Sequence, residues 1–92
     1  MKKQSSNHYA IVSFYPRRLT NKTLFLFRKG RYWSEEEKIE CIEVFLINQR
    51  LFVDEIKLNA TFDECQSLKE SDPYLDWNVF SKAPKSRIKT RS

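Results

Sequence analysis

The 92-residue chain has little of what several classes of site require. It contains one glycine, one histidine and two cysteines, Cys41 and Cys65, which do not form a CxxC pair. Loops that hold phosphate through backbone amides need several glycines, and a zinc site needs more cysteine and histidine ligands than this chain offers. The sequence therefore predicts neither nucleotide hydrolysis nor a bound metal or other cofactor.

The sequence also lacks the elements of a catalytic nucleophile. Cys41 and Cys65 each fall on the apolar side of a predicted helix, so we expect buried thiols rather than a cysteine activated by His8. The three acids at 35–37 would point in different directions on a helix, which is typical of helix capping and not of cation binding. We expect a protein that is not an enzyme.

Long apolar runs are absent as well. No run is long enough to span a bilayer, and residues 1–7 lead into a strand-like segment rather than the apolar part of a signal peptide. With 40% hydrophobic residues the chain can form one small core, so we expect a single cytoplasmic domain over residues 8–80. Residues 1–7 are expected to be a flexible basic N-terminus and residues 81–92 a mobile basic tail.

Charge is strongly segregated along the chain. Residues 1–33 hold eight basic residues and no acid, residues 34–80 hold all twelve acids against four basic residues, and residues 81–92 hold five basic residues and no acid. One interpretation is that basic strands and acidic helices attract each other within one fold. The other is a basic surface for a polyanion and a separate acidic surface for another partner.

Four segments have the composition of strands. Residues 8–15 and 23–28 are rich in β-branched and aromatic residues and predict a hairpin with three cations in its turn. Looser alternation of apolar and polar residues predicts two further strands, at 50–58 and 75–80.

Two helices are predicted from their start signals. Ser34 and Thr61 are each followed three residues later by glutamate, which is the capping-box pattern and predicts helices over about 35–47 and 62–71. Strand formers at 42–47 leave a hairpin strand as the alternative for the first helix.

The order β-β-α-β-α-β predicts an α+β fold. We expect a small, mainly antiparallel sheet with two helices on one face, because an aromatic-rich sheet needs such a cover, followed by the basic C-terminal tail. The pattern leaves the strand order open. An uncovered strand edge would also allow a homodimer.

The charge map leads to a first hypothesis, a non-enzymatic protein that contacts nucleic acid, RNA or DNA, or the nucleic acid of a nucleoprotein complex. The hairpin would hold phosphates, Tyr32 or Trp33 would stack on a base, and the tail would add a nonspecific anchor. The alternative role of the tail is solubility alone. The candidate nucleic-acid-binding residues are Arg17, Arg18, Lys22, Arg28, Lys29, Arg31, Tyr32, Trp33, Lys85, Arg87, Lys89 and Arg91.

The strand aromatics permit two interpretations. Tyr9, Tyr15, Phe25 and Phe27 could form a base-stacking platform, or the two phenylalanines could belong to the core, which is the commoner fate of that residue. Tyr9, Tyr15 and Tyr32 are better suited to exposure because their hydroxyl groups tolerate water.

The second hypothesis is a small inhibitor or adaptor of the kind that phages and mobile elements encode. Such a protein would dock on a host protein through its acidic or aromatic surface. The two hypotheses differ in which charges matter: the cations at Arg17 and Arg18, or the acids at Glu40 and Glu43.

Overall fold

The structure, a computed structural model, describes residues 8–28 and 32–81. The predicted N-terminal segment 1–7 and the predicted tail beyond Ser81 lie outside these residues. The described part has two helices and a four-stranded sheet, so the predicted α+β class is confirmed. The elements are β1 (His8–Tyr15), β2 (Lys22–Phe27), α1 (Glu35–Asn48), β3 (Phe52–Ala60), α2 (Phe62–Ser71) and β4 (Trp77–Phe80).

The strands lie in the order β3-β1-β2-β4. β1 is antiparallel to both of its neighbours, whereas β2 and β4 are parallel, so the sheet is mainly antiparallel as predicted. Val12 in β1 lies opposite Thr23 on one side and Ile56 on the other. β3 and β4 form the two edges of the sheet, and the pairing of β3 with β1 contains two register shifts.

Both helices begin with the predicted capping box. The Ser34 hydroxyl accepts a hydrogen bond from the Glu37 amide at 3.1 Å, and the Glu37 carboxylate accepts one from the Ser34 amide at 3.2 Å. The same exchange joins Thr61 and Glu64 at 3.1 and 2.8 Å. These caps satisfy backbone donors that a helix start leaves unpaired, and residues 42–47 are accordingly helix and not strand.

The prediction that both helices cover one face of the sheet is wrong. α1 contributes Ile42 to a core with Val12 and Phe25, while α2 packs Cys65 against Leu24 on the opposite face. The reason lies in β1, whose sequence HYAIVSFY is apolar at both even and odd positions. Because alternate residues of a strand point to opposite faces, both faces of the sheet need a cover.

The face under α1 contains the larger core and most of the buried rings. Phe25 and Phe27 are fully buried and stack with centroids 6.3 Å apart. Phe45 of α1 meets Phe25 edge-on at 5.4 Å, Trp33 lies 5.1 Å from Phe27, and Phe80 stacks on Phe25 at 5.8 Å. The phenylalanines of β2 are therefore core residues and not a stacking platform.

The face under α2 contains a smaller cluster. Leu24, Ala60, Cys65 and Leu75 are buried there. Tyr9 is half-buried and packs against rings of both α2 and β4, with Phe62 and Trp77 at 5.6 and 6.0 Å. α2 covers only part of this face, and the end of β1 that leads into the hairpin loop extends beyond it.

Candidate nucleic-acid interface

The predicted hairpin cations lie at opposite ends of β2. Arg17 and Arg18 are exposed in the loop between β1 and β2, whereas Arg28 directly follows β2 at its other end. Six strand residues span about 20 Å at the usual rise per residue. The structure thus divides the predicted basic surface into two separate parts.

A pair of exposed rings lies beside the hairpin loop. Tyr15 at the end of β1 pairs with Phe52 at the start of β3, and their rings stack with centroids 5.6 Å apart at an interplanar angle of 29°. Tyr15 is 54% exposed and Phe52 is 61% exposed. Two large rings that stack in solvent offer an aromatic surface to a further ring, such as a nucleobase.

A third arginine joins the two that the sequence analysis selected. The Arg18 guanidinium donates a hydrogen bond at 2.6 Å to the backbone carbonyl of Gln49, which caps the C-terminus of α1. Arg50 is the next residue and precedes Phe52 by two positions. We call the group formed by Tyr15, Arg17, Arg18, Arg50 and Phe52 the loop end.

The backbone at Arg50 adopts a conformation that favours glycine. Its φ of 62° lies in the left-handed region. The Arg50 amide donates to the Ile47 carbonyl at 2.9 Å and the Leu51 amide to the Leu46 carbonyl at 2.8 Å, which is the Schellman pattern of helix termination. A side chain with a Cβ at this position stores strain on the order of 1 kcal/mol, and strained residues of this kind concentrate at functional sites.

The cations of the loop end are not neutralised by ion pairs. Among the described residues the salt bridge found joins Lys57 to Glu64 at 2.5 Å, and no carboxylate lies within salt-bridge distance of Arg17, Arg18 or Arg50. The described residues as a whole include eight basic and twelve acidic residues, a net charge of −4. The loop end is thus a local basic site on a domain that is acidic overall.

The opposite end of β2, which we call the far end, holds Arg28 and Tyr32. Arg28 is exposed, and its carbonyl accepts a hydrogen bond from the Trp33 indole at 2.8 Å. Trp33 is only 3% exposed and packs in the α1 core, so its ring is not accessible to a base. Tyr32 is 81% exposed and is the candidate stacking residue at this end.

Two titratable groups lie near the far end. Lys38 on α1 is 5% exposed, and burial lowers its pKa, an effect that the charge of Glu35 partly offsets. His8 at the start of β1 is exposed, yet partial desolvation lowers its pKa and the nearby Lys38 charge lowers it further. Both effects favour the neutral form of His8, which therefore contributes little positive charge at neutral pH.

Several predicted contacts lie outside the described residues. These are Lys29, Arg31, Lys85, Arg87, Lys89 and Arg91. The chain leaves β4 at the far end, where the Phe80 carbonyl accepts a hydrogen bond from the Arg28 amide at 2.9 Å. The described chain therefore ends at Ser81, at the far end and not at the loop end.

Lys22 is the first residue of β2, directly after the hairpin loop, and borders two clefts. One, of about 530 Å³, runs between β1, β3 and α2 and is also lined by Glu55, Asp63 and Glu64. The other, of about 230 Å³, lies between the hairpin loop and the end of α1. Lys57 also lines the first cleft, so three carboxylates face two lysines there and the net charge is negative. Lys22 is therefore a weaker candidate phosphate contact than the arginines of the loop end.

The described residues show no constellation for metal or thiol chemistry. No group of three metal-ligating side chains occurs among them. Cys41 and Cys65 are both buried and unbridged, as predicted, and burial, reinforced by the charge of Glu64, raises the pKa of Cys65 to about 11. A thiol with that pKa is protonated at neutral pH and is a poor nucleophile. Neither described helix is long and apolar enough to cross a membrane.

Sequence reasoning missed Arg50 and Phe52 as site residues. Their position beside Tyr15 depends on the pairing of β1 with β3, which joins residues 37 positions apart in the sequence (Tyr15 with Phe52). A local signal was nonetheless present, because Arg50 lies in the turn at 49–50 that follows α1, and the apolar residues Leu51 and Phe52 come directly after it.

Comparisons with known proteins identify no relative of this chain. No protein-family model matches it, and no significant match was found among curated proteins or among solved structures.

Proposed function

We propose that this chain is a non-enzymatic binding protein that contacts nucleic acid through its loop end. The observation that carries the proposal is a group of three arginines without a salt bridge to any described residue, Arg17, Arg18 and Arg50, in the chain segments that adjoin the exposed ring pair of Tyr15 and Phe52. Guanidinium groups hold phosphates, and exposed rings stack on bases. The combination is what binding to unpaired nucleotides requires.

The basic segments outside the described residues would add affinity without selectivity. Nine of the seventeen basic residues lie there, whereas all twelve acids lie within the described part. Cations in such segments bind any polyanion through release of its counterions. In this proposal the loop end sets the geometry of the complex and the tail strengthens it.

The test is binding of single-stranded RNA and of duplex DNA to the full chain across a salt series. Arg17→Glu changes the loop end, and Arg28→Glu makes the same change at the far end as a matched control. We expect Arg17→Glu to weaken binding roughly tenfold and to reduce the dependence of log affinity on log salt by roughly 0.7 or more for the single strand, and Arg28→Glu to have a smaller effect.

A full-length variant with Lys85, Arg87, Lys89 and Arg91 changed to glutamine isolates the contribution of the tail. If this variant loses all binding while Arg17→Glu binds like the wild type, the loop end is not the interface. If the wild type binds neither nucleic acid at low salt, the proposal is wrong.

A second candidate function, docking on a partner protein, is favoured by one observation. Leu19 in the hairpin loop and Ile47 on the last turn of α1 are exposed apolar side chains that flank the same arginines. Aromatic residues and arginine are also the residues that dominate protein interfaces. Leu19→Ser and Ile47→Ser separate the two functions, because they should leave nucleic-acid affinity unchanged but weaken capture of a protein partner.

A further inference from the structure

The outer edge of β3 is a long, unpaired strand edge. β3 has nine residues, lies at one edge of the sheet, and among the described residues pairs only with β1. A strand edge of this kind presents unpaired backbone donors and acceptors to solvent and can accept a further strand.

The side chains of β3 point to alternate faces in a pattern that β1 fixes. Glu55 lies opposite Ser13 and Lys57 opposite Ile11, so both point to the α2 face. Ile56 between them lies opposite Val12 and packs with the α1 core. The register shifts fall on either side of this central stretch, one between Ser13 and Phe14 and one between Tyr9 and Ile11.

We propose that β3 pairs with β3 of a second copy of this chain, antiparallel and with Ile56 on the two-fold axis. In a two-fold interface, residue i of one copy faces residue j of the other, and j faces i. With Ile56 on the axis, Glu55 of each copy lies opposite Lys57 of the other, and the two register shifts of one copy meet those of the second. The interface then contains two opposite-charge pairs on one face.

Other registers lose this match. An axis that falls between two residues would place Glu55 opposite Ile56, and these side chains point to different faces of the sheet. An axis on Lys57 would place Glu55 opposite Asn59, and an axis on Glu55 would place Asp54 opposite Ile56. Only the axis on Ile56 pairs the charges of the central stretch.

The charges are available for this pairing. Glu55 has no salt bridge among the described residues, and Lys57 is bound on one side by Glu64 while its side chain stays 54% exposed. Phe52 would lie opposite Ala60, whose small side chain leaves the ring pair accessible. The inference does not depend on the proposed function, because the dimer forms without nucleic acid and leaves two loop ends at opposite ends of an eight-stranded sheet.

The test is the molar mass in solution of the full chain without nucleic acid, by analytical ultracentrifugation over a micromolar concentration series at low salt. Glu55→Lys places a lysine opposite Lys57 at both 55/57 positions of the interface. The double variant Lys57→Glu/Glu64→Gln places a glutamate opposite Glu55 at both positions. Its second change removes the carboxylate of Glu64, which would otherwise repel the new glutamate at position 57. Glu64→Gln alone is its matched control. Circular dichroism checks that each variant is folded.

We expect the wild type and Glu64→Gln to dimerise. Glu55→Lys and the double variant should each dimerise at least about tenfold more weakly, and an equimolar mixture of these two should recover the dimer because both of its cross-strand pairs are again opposite in charge. A monomeric wild type, or a dimer that Glu55→Lys does not weaken, would overturn the proposal. Failure of the mixture to associate would do the same.

Discussion

The two faces of the sheet differ in how completely they are covered. The α1 face is closed by stacked rings, and Phe25 and Phe27 are fully buried in it. The α2 face has a smaller cluster around Leu24 and Cys65, an open cleft, and the exposed ring pair of Tyr15 and Phe52. The difference indicates that the α1 face supplies most of the stability, while the α2 face and the loop beside it are open to a partner.

The largest expected difference in stability is between a phenylalanine-to-alanine substitution on the α1 face and the same substitution on the α2 face. Phe25→Ala should lower the free energy of unfolding by about 3–5 kcal/mol, because it leaves a cavity in the closed core. Phe52→Ala should lower it by about 1 kcal/mol or less, because the ring is mostly exposed. Urea denaturation measures both, and Phe25→Leu replaces Phe25→Ala if the alanine variant does not fold. Equal losses would mean that the faces do not differ as described.

The helices allow a second comparison of the faces. Ile42 on α1 is fully buried and Leu68 on α2 is half-buried. Ile42→Ala should therefore destabilise the fold by about 2–4 kcal/mol and Leu68→Ala by about 1 kcal/mol. The midpoints of urea denaturation measure this difference, provided that the dependence of the unfolding free energy on urea concentration is unchanged. A larger loss at Leu68 would show that α2 contributes more to stability than its burial suggests.

Arg50 separates stability from binding at the loop end. Arg50→Gly should raise the free energy of unfolding by up to about 1 kcal/mol, because glycine adopts the left-handed conformation without strain. The same variant should bind nucleic acid more weakly, since it removes one of three cations. Thermal denaturation and a binding titration measure the two effects. A variant that gains both stability and affinity would contradict the role assigned to Arg50.

The smallest expected effect concerns the buried lysine of the closed face. Lys38→Met should stabilise the fold by up to about 1 kcal/mol, because a buried cation is replaced by an apolar side chain of similar length. It should also raise the pKa of His8, because one of the two causes that lower it is removed. NMR titration of His8 measures this shift. An unchanged His8 pKa would mean that the two groups do not interact.

The His8 pKa also fixes the sign of a pH dependence. In the folded state the pKa lies below its usual value, so the unfolded chain binds this proton at higher pH than the folded chain does. The contribution of His8 to stability is therefore complete above pH 6.5 or so, the ordinary value, and is lost as the pH falls below it. His8→Gln should reduce this loss, as measured by thermal denaturation at a series of pH values.

The sequence allowed the elements to be predicted better than their arrangement. Ser34 and Thr61 mark both helix starts because a capping box is local, and the structure forms both boxes. The prediction of helices on one face failed because the apolar residues of β1 occupy both faces, which a count of strands and helices does not reveal. The face on which a helix lies depends on whether it covers the even-numbered or the odd-numbered residues of the strand.

The sequence predicts only part of the candidate site, because it contains local signals but does not specify which distant residues pair. Arg17 and Arg18 lie in one loop and were found from local charge, whereas Phe52 reaches Tyr15 only through the pairing of β3 with β1. Trp33 is a residue type that stacks on bases, but here it is buried because it packs against Phe27 in the core under α1. Whether a ring is core or exposed depends on tertiary packing that one short segment does not specify.

We expect the ring pair of Tyr15 and Phe52 at the loop end to stack on bases when nucleic acid binds. The most direct measurement is the affinity of folded Phe52→Ala for a single-stranded RNA oligonucleotide, compared with the wild type over the same salt series. Phe52→Ala should bind roughly tenfold more weakly with an unchanged salt dependence, because the substitution removes stacking on a base and no phosphate contact. Wild-type affinity in this variant would show that the ring pair takes no part in binding.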